Sequence, residues 1–363
     1  MNKKLLFFIA SVLIGCSSTD EGREAVRRSL FVSMIQEPQV LSSQNSIENL
    51  IEFSKRSKIK TLFIQVYRAN QAWFPSEIAD SSLYKESLKN FSEDPFKVLI
   101  KKAHSSGIQV HAWLNLLSLS ANQDAPILKK YGPSILTRNL IDKKSIEDYQ
   151  IDNQYFLEPG DPRVSEALSI VVREVVGRYP DLDGIQFDYI RHPDKDPFYG
   201  YTEMNLTRFK ASTGLDRFEE SNPLWKKWKR DQVTTLVRTL KTEARKIHPK
   251  IQVSVTGLMP YSRALREGFQ DWRSWLDTGL VDFVTLMSYT DKPDRFRTYL
   301  KDARKQLNVL GRVNIAVGAY AFLKDPESFR AEWELCEAAG ARSCAALHYG
   351  SFVENPDLAE AFN

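Results

Sequence analysis

Short apolar, β-prone runs alternate along this chain with longer segments whose apolar residues recur every three or four positions, the signatures of strand and amphipathic helix. Eight runs read as strands: Ser29 to Met34, Thr61 to Arg68, Ile108 to Asn115, Gly184 to Arg191, Ile251 to Gly257, Asp282 to Tyr289, Asn314 to Tyr320 and Ser343 to Gly350. Helical spacing fills Ser46 to Arg56, Pro95 to Ser105, Pro162 to Arg178, Trp225 to Ile247, Trp272 to Thr278, Arg295 to Leu307 and Pro326 to Ala339. Asp94-Pro95, Asp161-Pro162 and Asp325-Pro326 each put a side-chain acceptor before a first-turn proline, which is how a helix starts. Eight strand–helix units predict an α/β fold, a (β/α)8 barrel. No linker rich in Gly, Ser or Pro divides the chain, so residues 28–363 read as one domain. Two connections exceed the usual length, Leu116 to Glu158 after the third strand and His192 to Asn222 after the fourth. Both leave C-terminal strand ends, where a barrel builds the walls of its site.

The fourth strand breaks the pattern. In the stretch Asp181 to Pro193, a period of two sets Ile185, Phe187 and Tyr189 on one face and Gly184, Gln186, Asp188 and Ile190 on the other. A strand covered on both sides should be apolar throughout, so inward Gln186 and Asp188 require partners or a use. Asp188 falls at the C-terminal end, where barrels keep their chemistry; Asp183 falls at the opposite, stability end. The same alternation sends Gln65 and Tyr67 one way on strand two, His111, Trp113 and Asn115 on strand three, and Thr285, Met287 and Tyr289 on strand six. The expected mouth is therefore lined by Gln65, Tyr67, His111, Trp113, Asn115, Gln186, Asp188, Tyr289 and either Tyr320 or Tyr349. Aromatic plates among amides and a strand-borne carboxylate suit a sugar, whose C–H faces stack while its hydroxyls bridge polar groups. Arg68, Arg191 and Arg263 add basic groups that fit an anionic polymer.

The amino terminus tells of export. Lys3 and Lys4 precede an apolar run from Leu5 to Gly15, a secretory signal over residues 1–15, too short for a stable membrane span. Leu13-Ile14-Gly15-Cys16 resembles a bacterial lipobox, which implies lipidation of Cys16, a tether over residues 16–27, and an envelope location; Ser17 in the next position resembles lipoproteins sent to the outer membrane. Fifty basic against 46 acidic residues leave a net charge of +4, spread over solvated helix faces, and nucleic acid does not suit an exported chain. Cys336 and Cys344 either pair or stay as two thiols. The five histidines show no ligand spacing, so neither metal nor cofactor is expected, and the chain reads as a monomer.

His111-Ala112-Trp113-Leu114-Asn115, the turn Glu158 to Pro162, Tyr179 through Tyr189, Gln270 to Trp275, and Asp282 through Tyr289 together resemble the glycosyl-hydrolase-like 10 family. The resemblance runs from about Ser29 to the C-terminus. It implies a TIM-barrel glycoside hydrolase of a bacterial surface, of a kind that includes outer-membrane lipoproteins cutting peptidoglycan glycan strands. Two positions depart from the family: Tyr189 stands where a second acid is frequent, and Glu158 where Asn is common. Glycoside hydrolysis uses two carboxyl groups, one protonated and one ionised. Asp188 is the candidate for the ionised group. Strand five, Val253 to Gly257, offers no carboxylate, so the acid must come from a loop; Glu158 leads, followed by Asp194, Glu267 and Asp291. A turn or helix-terminus role is the alternative for Glu158, and Asp271 reads as an N-cap. The competing function is a catalytically inactive, glycan-binding barrel. Sugar deacetylation is disfavoured because it calls for a metal.

Overall fold

In a computed structural model, residues 26–194, 198–216 and 218–363 are described; the expected signal peptide and the lipidation site Cys16 lie outside them. Eight parallel strands close on themselves: β1 (Arg27–Val32), β2 (Ile59–Arg68), β3 (Gln109–Asn115), β4 (Gly184–Asp188), β5 (Gln252–Leu258), β6 (Phe283–Met287), β7 (Val313–Gly318) and β8 (Ser343–Leu347). Each pairs with its sequence neighbour, and β1 pairs with both β2 and β8, so no edge is left open. This is the (β/α)8 barrel that the alternation of runs predicts, with β1 beginning at Arg27, inside the stretch assigned to the tether.

Caps form where acid–proline pairs predict them. Asp94 accepts from the N–H groups of Phe96 and Lys97, Asp161 from Arg163, and Asp325 from Ser328, each ahead of a proline. Asp271 caps its helix through Ser274. The apolar faces of these helices meet the outward residues of the strands in one continuous core. At the N-terminal end of the barrel, Asp183 accepts from the Val110 N–H at 2.8 Å and lies 2.9 Å from His104 Nε2. It ties β3 to the start of β4, the structural role its position predicts.

The two long insertions stand above the C-terminal strand ends. The first carries a short antiparallel pair, Ser118–Ser120 with Tyr155–Phe156. The second holds helix Glu203–Thr213 and joins the start of helix Pro223–Ile247, where Tyr201, Phe209 and Trp225 form a small core of their own. Because Trp225 belongs to that barrel helix, this small core fixes the insertion to the barrel. Cys336 and Cys344 are joined, with 5.9 Å between their Cα atoms, linking helix Pro326–Ala338 to β8. That resolves the pairing the sequence leaves open.

Candidate active site

The cavity at the C-terminal mouth has a volume of about 440 Å³. Strand ends and the first loop residues build it: Gln65 and Arg68 from β2, Trp113 and Asn115 from β3, Asp188 from β4, Thr256 from β5, and Tyr289 after β6. Asp188 is the most tightly bound group there. Its Oδ1 accepts from the Thr256 hydroxyl at 2.5 Å and the Tyr189 N–H at 2.8 Å, and its Oδ2 accepts from Trp113 Nε1 at 3.0 Å. Three donors from three different segments hold the carboxylate in one orientation at the cavity floor, 5% exposed. Trp113 is itself fixed, packed edge-on against Phe31 at 5.0 Å between ring centres.

The strand ends at Asp188 because the next residue, Tyr189, adopts a left-handed backbone, φ 51°. A bulky residue in that region is strained and holds only where its surroundings demand it. The turn overrides the alternation expected through Arg191. Ile190 goes into the outer core, while Tyr189 and Arg191 both come into the cavity, the Arg191 guanidinium 4.4 Å above the Tyr189 ring. Arg191 pairs with Asp194 at 3.5 Å, and Asp194 also receives Arg263. Tyr289 is pushed well above its usual pKa, by burial first and then by the Asp188 charge, and it stays a neutral phenol. Its ring sits 6.0 Å from that of Tyr320, which also lines the cavity, so of the two tyrosines considered Tyr320 is the mouth residue. Tyr349 packs instead against Phe53, beside a flank groove of about 550 Å³ between helix Gln44–Arg56 and the C-terminal residues. That groove contains none of the strand-end groups.

Several expected mouth residues lie elsewhere, for two physical reasons. Tyr67 faces the helices: a bulge between Gln65 and Tyr67 places Tyr67 opposite the outward Leu114, whereas Gln65 stands opposite inward Trp113. Its hydroxyl accepts from Asn70 Nδ2 at 3.0 Å. His111 and Gln186 do point inward, but deep in the barrel. His111 is fully buried against Phe63 and Phe283, and burial drives its pKa down to about 3, so it is a neutral core residue. Gly184 leaves its space, since a Cβ there would come 2.2 Å from His111 Nδ1. Gln186 is fully buried below Asp188 and accepts from Ser254 at 3.2 Å and Thr285 at 3.0 Å. Alternation gives the face of a residue; depth along the barrel axis comes from register.

Glu158 is not among the residues lining the cavity. It is fully buried in the wall, where its Oε1 accepts from the Gly160 N–H at 3.2 Å and from Asn205 Nδ2 at 3.5 Å. Its Oε2 makes no hydrogen bond of ordinary geometry, although the nearby Thr137 hydroxyl favours the ionised form. Burial dominates and pushes its pKa up to about 7. Among the described residues, Asp188 and Asp194 are the carboxylates on the cavity lining, and no group of three or more His, Cys, Asp or Glu could hold a metal ion. Thr256 is a site residue that the sequence reading passed over. It lies two positions from Ser254 on β5, on the inward face, so the same alternation that singled out Asp188 could have found it.

The chain is 24% identical to the glycosyl hydrolase DigH of Escherichia coli strain K12 over 264 residues, 68% of this chain and 58% of that protein. The chain thus spans little more than half the length of this curated relative. Its fold resembles the PgaB (BpsB) glycoside hydrolase domain from Bordetella bronchiseptica with a TM-score of 0.71 at 17% identity, covering 93% of this chain and 98% of that one. It also resembles α-L-fucosidase isoenzyme 2 from Paenibacillus thiaminolyticus, with a TM-score of 0.64 at 17% identity over 93% of this chain and 49% of that one. The Glycosyl hydrolase-like 10 family model matches residues 28–327, and the chain belongs to that family.

Proposed function

We propose that this protein is a glycoside hydrolase of the bacterial envelope and that it cuts peptidoglycan glycan strands, with Asp188 as the carboxylate that meets the reacting carbon. The observation that carries the reading is the Asp188 carboxylate, held by Thr256, the Tyr189 N–H and Trp113 at the floor of a cavity walled by tyrosines and amides. In glycoside cleavage one carboxylate faces the anomeric carbon while an acid helps the leaving oxygen depart, and preorganised donors keep the first from turning away. Gln65, Arg68, Asn115, Arg191 and Tyr289 bind the sugar around it. Asp194 is the second carboxyl on the same wall, and Glu158 serves the wall itself. The family relationship and the DigH similarity support this assignment.

The test is reducing-end release from purified strands stripped of their peptides, and from a panel of other polysaccharides, comparing wild type with Asp188→Asn and Asp194→Asn. Release by wild type and none by Asp188→Asn is the expected result. One observation favours a second reading, an inactive glycan-binding barrel: Asp194 is already engaged by Arg191 and Arg263. If no polysaccharide is cut while wild type and Asp188→Asn bind glycan equally, that reading replaces the hydrolase.

We further propose that the protein is an exported monomer, anchored by lipid on Cys16 in the outer membrane. The apolar run before Cys16 and the Cys336–Cys344 disulfide, a bond suited to an oxidising compartment, support it. Cys16→Ser should move the protein from the membrane to the soluble fraction; retention on the membrane would remove the lipid anchor from the account.

A further inference from the structure

The basic groups of the cavity are unevenly matched by acids. Arg68, Arg191 and Arg263 face Asp188 and Asp194 among its described lining residues. Arg263 is matched twice, by Asp194 and by Glu267 at 3.2 Å. Asp188 is committed to Thr256, Trp113 and the Tyr189 N–H, and no ion pair joins it to Arg191 among the described residues. Arg191 is only 6% exposed, its Nη2 lies a long 3.5 Å from Asp194, and its Nε and Nη1 are buried with no hydrogen-bond partner. Those two nitrogens are shielded from solvent, so what they add is charge, acting at low dielectric where it reaches further than in water. Arg68 sits higher, half-buried at the end of β2 on the same cavity, with no side-chain hydrogen bond or ion pair among the described residues. A buried, half-matched guanidinium below an unengaged one is an arrangement that folding alone does not reward, since each charge costs desolvation unless an anion meets it.

We propose that Arg68 reads a carboxylate on the bound sugar, that Arg191 supplies the field that makes that contact strong, and that the glycan taken by this site is therefore acidic. A planar guanidinium suits a carboxylate, and Tyr189, stacked on Arg191, keeps that charge at the cavity instead of letting it swing into solvent. Peptidoglycan strands become such a polymer once their peptides are removed, because each lactyl ether then ends in a free carboxylate. This inference rests on the assignment of the cavity as a glycan site, and Arg68 is a specificity residue in it.

The experiment compares two substrates that differ in one group: peptide-free strands, and the same strands with their carboxyls reduced to alcohols. Binding and kcat/KM are measured for wild type, Arg68→Gln and Arg68→Lys. Wild type should prefer the charged strands by about ten- to a hundredfold, mostly through KM, the range a hydrogen bond to a charged group supplies. Arg68→Gln should shrink that ratio about tenfold, and Arg68→Lys should restore part of it. Equal handling of both strands by wild type, or an undiminished preference in Arg68→Gln, overturns the proposal while leaving hydrolysis intact. If neither strand is cut, the hydrolase reading fails, and binding alone decides the inference: a tenfold preference for the charged strands upholds it, and equal binding overturns it.

Discussion

Asp188 and Glu158 are two buried acids of one mouth region, and they have opposite surroundings. Asp188 meets three donors and an open cavity. Glu158 meets one backbone N–H, a long amide contact and the nearby Thr137 hydroxyl inside the wall, and burial outweighs them, raising its pKa to about 7. Donors that converge on a carboxylate fix its direction without hiding it from a ligand, whereas burial without enough donors favours the proton. The difference follows from what carries each residue. A strand end projects its side chain along a fixed axis into the mouth; a returning loop turns its polar group inward to satisfy its own backbone.

Removing the Asp188 charge is the severest test of that contrast. Asp188→Asn should lower kcat by at least about a thousandfold, as loss of a catalytic carboxylate does. Whichever way the amide is turned, one of the N–H groups now bonded to Asp188 loses its acceptor, at a cost of about 1–3 kcal/mol. Thermal unfolding must therefore be run beside the assay. A variant that folds and still cuts at a tenth of the wild-type rate or more would take Asp188 out of the chemistry.

A smaller effect should follow from removing one donor at a time. Thr256→Val deletes the hydroxyl that reaches Asp188 at 2.5 Å and keeps the shape of the side chain. Trp113→Phe deletes the indole N–H and keeps a ring against Phe31. Each should cost about ten- to a hundredfold in kcat, the worth of one hydrogen bond to a charged group. If kcat holds and only KM rises, the donors place the sugar and do not steady the carboxylate.

These tests also mark where reading the chain succeeded. All eight strands and the capped helices followed from periodicity and from acid–proline pairs, because those signals are local. Asp188, Trp113 and Asn115 were found for the same reason: inward faces of neighbouring strands must share the barrel interior. Register is not local. Tyr67 was misplaced by a single bulge, and His111 and Gln186 by depth along the axis, which depends on how far each strand is shifted against the next. Arg191 entered the cavity through the left-handed turn at Tyr189, a conformation that no propensity predicts for a tyrosine. Glu158 was least legible of all, since a loop's path is settled by contacts distant in sequence, here with Asn205 in the second insertion.

The smallest expected effect on activity, and the sharpest on stability, belongs to Glu158→Gln. As part of the wall, Glu158 should tolerate the change with kcat within a few-fold of wild type, because glutamine keeps an oxygen for the Gly160 N–H. Loss of a hundredfold or more would return Glu158 to the role of acid. Stability separates the two further. The folded protein holds this proton up to about pH 7, while the unfolded chain releases it near 4.5. Between those values the folded state binds more protons, so the wild type loses stability as pH rises from 4.5 to 7, by up to ~3 kcal/mol, and then levels off. Glutamine has no proton to lose. Urea unfolding at pH 4.5, 6, 7.5 and 8.5 should therefore show the variant's advantage over wild type growing across the first two steps and holding over the third. Parallel curves across that range would mean that Glu158 ionises in the fold as readily as outside it, and the contrast with Asp188 would rest on position alone.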